Sequence, residues 1–186
     1  MKKTLYIKNM VCDRCKSKIT QIIHEHKAEI KSIQLGKVEI LVPASFDENK
    51  FAKDLSAEGF ELVKNTEDQL VESIKVILVN MVKSTTFPES ISNFLSQELN
   101  KDYSFLSKLF KKKSGETLEK YLIKLKIEKV KELIQMQKYS FSEIAYQLNY
   151  NSISHLSGQF KTITGMTMSQ YQESQNWNRL SLDKIL

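Results

Sequence analysis

One ten-residue stretch in the second half of the chain occurs twice. Leu106-Ser107-Lys108-Leu109-Phe110-Lys111-Lys112-Lys113-Ser114-Gly115 returns as Leu156-Ser157-Gly158-Gln159-Phe160-Lys161-Thr162-Ile163-Thr164-Gly165, displaced by 50 residues. The shared pattern is L-S-x-x-F-K-x-x-[ST]-G. It runs on through Thr117, Leu118 and Tyr121, which return as Thr167, Met168 and Tyr171. Upstream, Leu95-Ser96-x-x-Leu99-Asn100 returns as Ile144-Ala145-x-x-Leu148-Asn149, now displaced by 49. The slip of one residue falls in a connection, where insertions are tolerated. Self-similarity at a fixed period means that one supersecondary unit is built twice.

The spacing within each copy predicts a helix-turn-helix. The first helix carries a small residue, Ser96 or Ala145, where a second helix must approach closely. Asn100 and Asn149 stand where a left-handed turn residue is wanted, a conformation asparagine tolerates. Ser140-x-x-Glu143 reads as a capping box opening the second copy. The second helix of each pair has an apolar rail, Leu106, Leu109 and Phe110 in one copy and Leu156 and Phe160 in the other. Its opposite face is polar: Ser104, Ser107, Lys108, Lys111 and Lys112, then Ser154, His155, Ser157 and Lys161. Such a face suits a DNA major groove, with Lys111, Lys112 and Lys161 on phosphates and Ser104, Ser107, Lys108, Ser154 and His155 on base edges. A helix from about Thr117 to Gln137 joins the copies, with Leu118, Leu122, Leu125, Val130 and Leu133 inward. Its span of about 30 Å approaches the ~34 Å between successive major grooves on one face of DNA. Charge agrees. The chain's net charge is +6, and the segment from Lys101 to Lys131 alone holds 10 lysines against 4 acids. A concentrated basic excess points to phosphate contact.

These motifs together resemble the AraC/XylS family of bacterial transcription regulators over about residues 67–175. The resemblance is carried by Leu106–Gly115, by the joining-helix stretch Ile127-Glu-Lys-Val-Lys-Glu-Leu-Ile134, by Ser142-Glu-Ile-Ala-Tyr-Gln-Leu148 and by Gln159-Phe-Lys-Thr-Ile-Thr-Gly-Met-Thr167. It implies sequence-specific binding of double-stranded DNA by an all-α double helix-turn-helix domain. The family often has arginine near the position of Gly158.

Residues 1–65 follow another rule. Thr4–Ile7 is β-prone. Cys12 to about Lys27 has helical spacing at Ile19, Ile22 and Ile23. Lys31–Leu35 and Lys37–Val42 read as strands about a turn at Gly36, Phe46–Gly59 as a helix, and Phe60–Val63 as a last strand. The order β-α-β-β-α-β is the ferredoxin-like arrangement. After Lys64 the strand pattern stops, and Asn65-Thr66-Glu67-Asp68 opens a helix running to about Lys83. The expected architecture is therefore α+β: a ferredoxin-like βαββαβ domain over 1–65, an all-α double helix-turn-helix domain over 66–175 and a tail over 176–186. Trp177, in the tail, is expected to pack on the last helix.

The chain's two cysteines, Cys12 and Cys15, lie between the first strand and the first helix. Their spacing brings both sulfurs to the start of that helix, beside Arg14 and Lys16, a positive setting that suits thiolate ligands. Two soft donors suit Cu(I) or another thiophilic ion, whereas a closed zinc site needs more ligands. A reversible Cys12–Cys15 disulfide is an alternative, and so is an unused thiol pair, with no cofactor at all. Asn9-Met10-Val11-Cys12-Asp13-Arg14-Cys15 resembles the M-x-C-x-x-C loop of the heavy-metal-associated domain, and Glu58-Gly59-Phe60-Glu61 resembles the loop whose aromatic residue packs near that site. Met10 is expected in the core beneath the loop, and His24 and His26 on the surface.

Composition limits the remaining classes. No apolar run approaches the ~20 residues of a membrane span. The apolar run after Met1 stops at Lys8, short of the ~7–15 residues of a signal-peptide core, so a cytoplasmic protein is expected. No nucleophile triad, phosphate loop or paired-carboxylate cleft points to an enzyme. The expected function is a DNA-binding transcription regulator, a monomer or homodimer that responds to a soft metal ion or to oxidation at Cys12/Cys15. A metal carrier with a helical protein-docking module is the alternative.

Overall fold

The computed structural model describes residues 1–10, 12–175 and 177–180. Val11 of the cysteine loop and the tail positions 176 and 181–186 lie outside the described residues. The chain forms two compact units, one over Met1–Val76 and one beginning at Ile77.

The first unit runs β1 (Lys2–Lys8), α1 (Asp13–Glu25), β2 (Glu29–Gln34), β3 (Lys37–Leu41), α2 (Glu48–Ala57) and β4 (Glu61–Val63). The strands lie in the order β2-β3-β1-β4, every neighbouring pair antiparallel. Alternation along the central strands sends Leu5 and Ile7 of β1 and Val38 and Ile40 of β3 into one core. Ile19, Ile22 and Ile23 of α1 and Phe51 and Leu55 of α2 complete it, as side chains two apart on a strand and three or four apart on a helix share a face. Gly36 makes the hairpin turn at φ +72°. Asp47 caps α2, its Oδ1 accepting from Asn49 N at 2.9 Å and Lys50 N at 3.1 Å.

His26 departs from the sequence reading. Its side chain is only 8% exposed and bonds Asp54 at 2.7 Å, and its ring meets Phe46 and Phe51 edge-on at 6.0 and 5.2 Å. A carboxylate on the next helix satisfies the ring nitrogen, so the imidazole can be buried. His24 is exposed as expected.

A further helix, α3 (Thr66–Ser84), contains the division between the units, although the strand pattern ends before it begins. Asn65 Oδ1 accepts from Glu67 N at 2.8 Å at its start. The rest is helical: α4 (Ile91–Leu99), α5 (Tyr103–Ser114), α6 (Leu118–Met136), α7 (Phe141–Gln147), α8 (Ile153–Thr164) and α9 (Met168–Ser174). No helix among the described residues is long and apolar enough to cross a membrane.

The sequence repeat is a repeat of bonds. Asn100 and Asn149 are left-handed, at φ 50° and 53°. The residue after each returns a bond to the preceding helix, Lys101 N to Ser96 O at 3.2 Å and Tyr150 N to Ala145 O at 2.9 Å. This is the Schellman closure that turns a chain sharply into its next helix. Gly115 and Gly165 end α5 and α8 at φ 78° and 79°. Phe110 packs on Tyr121 at 5.3 Å, as Phe160 does on Tyr171 at 5.7 Å. Thr117 and Thr167 cap α6 and α9 through Lys120 N and Gln170 N. Ser140 and Glu143 form the expected capping box on α7. Leu118, Leu122, Leu125, Val130 and Leu133 of α6 are all buried. Trp177 meets Tyr171 of α9 edge-on at 5.7 Å.

Candidate nucleic-acid interface

In both copies a left-handed turn aims the second helix, and burial of its apolar rail decides which face is left to solvent. The second copy adds a side-chain cap on α8, Ser152 Oγ accepting from His155 N at 3.1 Å, which Asp102 does not supply to α5. Leu106, Leu109 and Phe110 of α5 are buried, as are Leu156 and Phe160 of α8. On α5, Ser104, Lys108, Lys111 and Lys112 are exposed and Ser107 is half-buried. On α8, Ser154, His155 and Lys161 are exposed and Ser157 is half-buried. Each set of sequence-predicted residues thus shares one helix and lies off its buried rail. The joining helix α6 has 19 residues, or about 28 Å at ~1.5 Å each.

The lysines of the basic segment divide by role. Lys124, Lys129 and Lys131 hold Glu116, Glu132 and Glu128 at 2.7, 2.7 and 2.6 Å. Lys126 is half-buried between two rings. Lys111, Lys112 and Lys113 crowd the last turn of α5 and are exposed, where they complement the helix dipole and face water. Tyr103 pins the start of α5 to α6, donating to Glu119 Oε1 at 2.6 Å. That bond holds the Glu119 carboxyl below the usual carboxylate range, while burial and the same carboxylate push the Tyr103 phenol up.

The cysteine pair is in the other unit. Cys12 is the N-cap of α1 and Cys15 lies in its first turn. Their sulfurs are 2.9 Å apart, and Cys12 Sγ accepts from Cys15 N at 3.4 Å. Met10 is buried beneath them, and Phe60 is buried in the same core, against which Cys15 packs. Lys16 is paired with Asp13 at 3.1 Å. Asn9 donates its amide to Gly59 O at 2.8 Å, tying the two loops together. Among the described residues, no group of three or more His, Cys, Asp and Glu side chains could hold a metal ion.

Residues 95–174 match the family described as a helix-turn-helix domain. The second half of the chain carries a helix-turn-helix domain. Its fold is similar to that of the C-terminal domain of AraT, a response regulator from Geobacillus stearothermophilus, at 20% identity and TM-score 0.52, over 63% of this chain and 92% of that one. It is likewise similar to a transcriptional regulator from Chromobacterium violaceum described by its AraC-type DNA-binding domain, at 20% identity and TM-score 0.51, over 60% of this chain and 97% of that one. None of the curated proteins matches the chain.

Within the helix-turn-helix domain, sequence reasoning passed over two side chains of the second helices, Phe105 and Gln159. Phe105 is exposed on α5 beside Ser104. It is the 50-residue counterpart of His155, so reading the repeat position by position finds it. Gly158 stands opposite Lys108 in the same register, and a Cβ built there meets nothing within 4 Å. Gln159 stands opposite the buried Leu109 and touches His155; no periodicity signals that role. The helix-turn-helix domain is therefore uneven, with three lysines in the last turn of α5 against Lys161 alone in that of α8.

Proposed function

We propose that this protein is a cytoplasmic, sequence-specific DNA-binding transcription regulator. One observation carries the reading: two copies of one helix-turn-helix, alike in their left-handed turns, buried rails and closing glycines, each leave a polar, partly basic face of the second helix in water. Packing explains the shared interior and not the exposed faces. In this reading Lys111, Lys112 and Lys161 neutralise phosphates, and Ser104, Ser107, Lys108, Ser154, His155 and Ser157 meet base edges or flanking phosphates. The test is duplex binding against salt. The logarithm of affinity should fall linearly with the logarithm of salt, and each of Lys111→Gln, Lys112→Gln and Lys161→Gln should flatten the slope by about 0.9. A slope that none of the three changes would refute the assignment.

Residues 1–65 are proposed as a ferredoxin-like module similar to the heavy-metal-associated domain, followed by the double helix-turn-helix domain over 66–175 and a tail over 176–186. The order β2-β3-β1-β4 and the buried Met10 under the loop support it. Cys12 and Cys15 fit a two-coordinate soft ion such as Cu(I), and the described residues do not complete a four-ligand set. When bound, such an ion would supply a thiolate-held charge at the start of α1. A disulfide fits the same geometry, since the sulfurs are 2.9 Å apart and the bond needs about 2.05 Å. Titrating the reduced chain with Cu(I) and assaying thiols after oxidation separates the two. Two thiols that remain titratable after both treatments exclude both.

A further inference from the structure

The turn before α8 carries a set of contacts that the turn before α5 lacks. Tyr150, just after the left-handed Asn149, lies between two partners. On one side the Lys126 ammonium sits 4.9 Å from its ring centre and 4.5 Å from that of Phe87. On the other, His155 of α8 meets its ring edge-on at 5.4 Å. The Tyr150 hydroxyl donates to Gln159 Oε1 at 3.0 Å, and Gln159 Nε2 lies 3.2 Å from His155 Nε2. In the first copy the corresponding positions are Lys101, Phe105 and Leu109, which can form no such set. The first copy builds the same left-handed turn and buried apolar rail without it, so the fold does not require it.

The chemistry of the set decides where the imidazole proton sits. A carboxamide oxygen that accepts from tyrosine leaves the NH2 group facing the imidazole, and NH2 only donates. His155 Nε2 must therefore accept, which puts the ring proton of the neutral side chain on Nδ1. The second nitrogen of a histidine is commonly fixed in this way by the bond its first one makes. His155 is exposed, so Nδ1–H is the group left for a partner.

We propose that Tyr150 and Gln159 are positioning residues that hold His155 as an Nδ1–H donor, so that the second helix-turn-helix reads a hydrogen-bond acceptor on a base edge in the major groove. The acceptors there are N7 and O6 of guanine, N7 of adenine and O4 of thymine, and the amino groups of adenine and cytosine are rejected. This rests on the DNA-binding reading above.

Two measurements on the full chain test it. The chain has three histidines, so long-range proton–nitrogen correlation of the 15N-labelled protein at about pH 8.5, above the ordinary histidine range, resolves the tautomer of each. His155 should carry its proton on Nδ1 in the wild type and shift toward Nε2 in Tyr150→Phe and in Gln159→Leu. A wild-type His155 protonated on Nε2 overturns the proposal without any variant. In the second measurement the wild type selects a duplex from a random-sequence pool. Affinities for that duplex and its single-base-pair variants are then compared among wild type, His155→Ala, Tyr150→Phe and Gln159→Leu. Tyr150→Phe should lose about five- to tenfold of discrimination at the base pairs that His155→Ala affects, with the salt slope unchanged. Wild-type discrimination retained by Tyr150→Phe and Gln159→Leu, or a loss spread evenly over all sites, overturns the positioning role and leaves the DNA-binding reading intact. A wild type that selects no duplex overturns both.

Discussion

Gly36 and Gly115 share a backbone conformation and differ in their surroundings, which separates two costs. Both have positive φ, 72° and 78°. A Cβ at Gly115 meets nothing within 4 Å, whereas one at Gly36 comes within 2.9 Å of Val76 Cγ2. Gly115→Ala should therefore cost only the backbone penalty, about 1 kcal/mol. Gly36→Ala adds a clash with a branched, stiff side chain and should cost roughly 2–3 kcal/mol. Urea unfolding of the two variants checks the order, and equal costs would contradict it. Asn100 and Asn149 could be placed from sequence because a left-handed conformation selects a short list of residues. His26 could not, because nothing local announces that Asp54, 28 positions away, will satisfy its ring. Gln159 was missed for the same reason.

Helices proved readable where they obey their own periodicity and caps, and less so where another helix finishes them. Thr117 and Gln137, expected as the ends of the joining helix, are the N-cap and C-cap of α6. The bond from Tyr103 to Glu119 joins α5 to α6, and no spacing rule foretold it. Since Glu119 is depressed in the folded state, its contribution is complete above the ordinary glutamate value near 4.3 and is lost as pH falls through the folded value. Tyr103→Phe should lower stability at neutral pH, and the difference from wild type should shrink in acid; a constant difference from neutral pH into acid would refute the linkage. Lys126 has the opposite effect on stability. Burial pulls its ammonium down to about 8 from an ordinary 10.5, although the faces of Phe87 and Tyr150 offset part of the cost. Below pH 8 the folded chain carries that charge at a penalty. Between about 8 and 10.5 the unfolded chain binds more protons, so stability rises with pH. Lys126→Met should raise the urea midpoint at pH 7, and the gain should narrow as pH rises through that window.

Two units in one chain pose the question of what one does to the other. If the thiols of the first govern the DNA affinity of the second, then Cu(I) or a mild oxidant should shift duplex affinity in the wild type and leave Cys12→Ser/Cys15→Ser unmoved. Equal affinities in all four samples would show that the thiols do not act on DNA binding. The net charge of +6 says little about this. Its concentration between Lys101 and Lys131 says more, since charge acts through position. The duplication has a different kind of consequence. Dimeric regulators read palindromes because a two-fold axis relates their subunits, and a palindrome looks the same from either end. In the proposed reading both grooves would be met by one chain whose two faces are unlike, lysine-rich on α5 and nearly neutral on α8. A site that fits such a pair has a head and a tail. Inverting it end for end would turn the protein around on the duplex, so that the site acts as an arrow pointing along the chromosome.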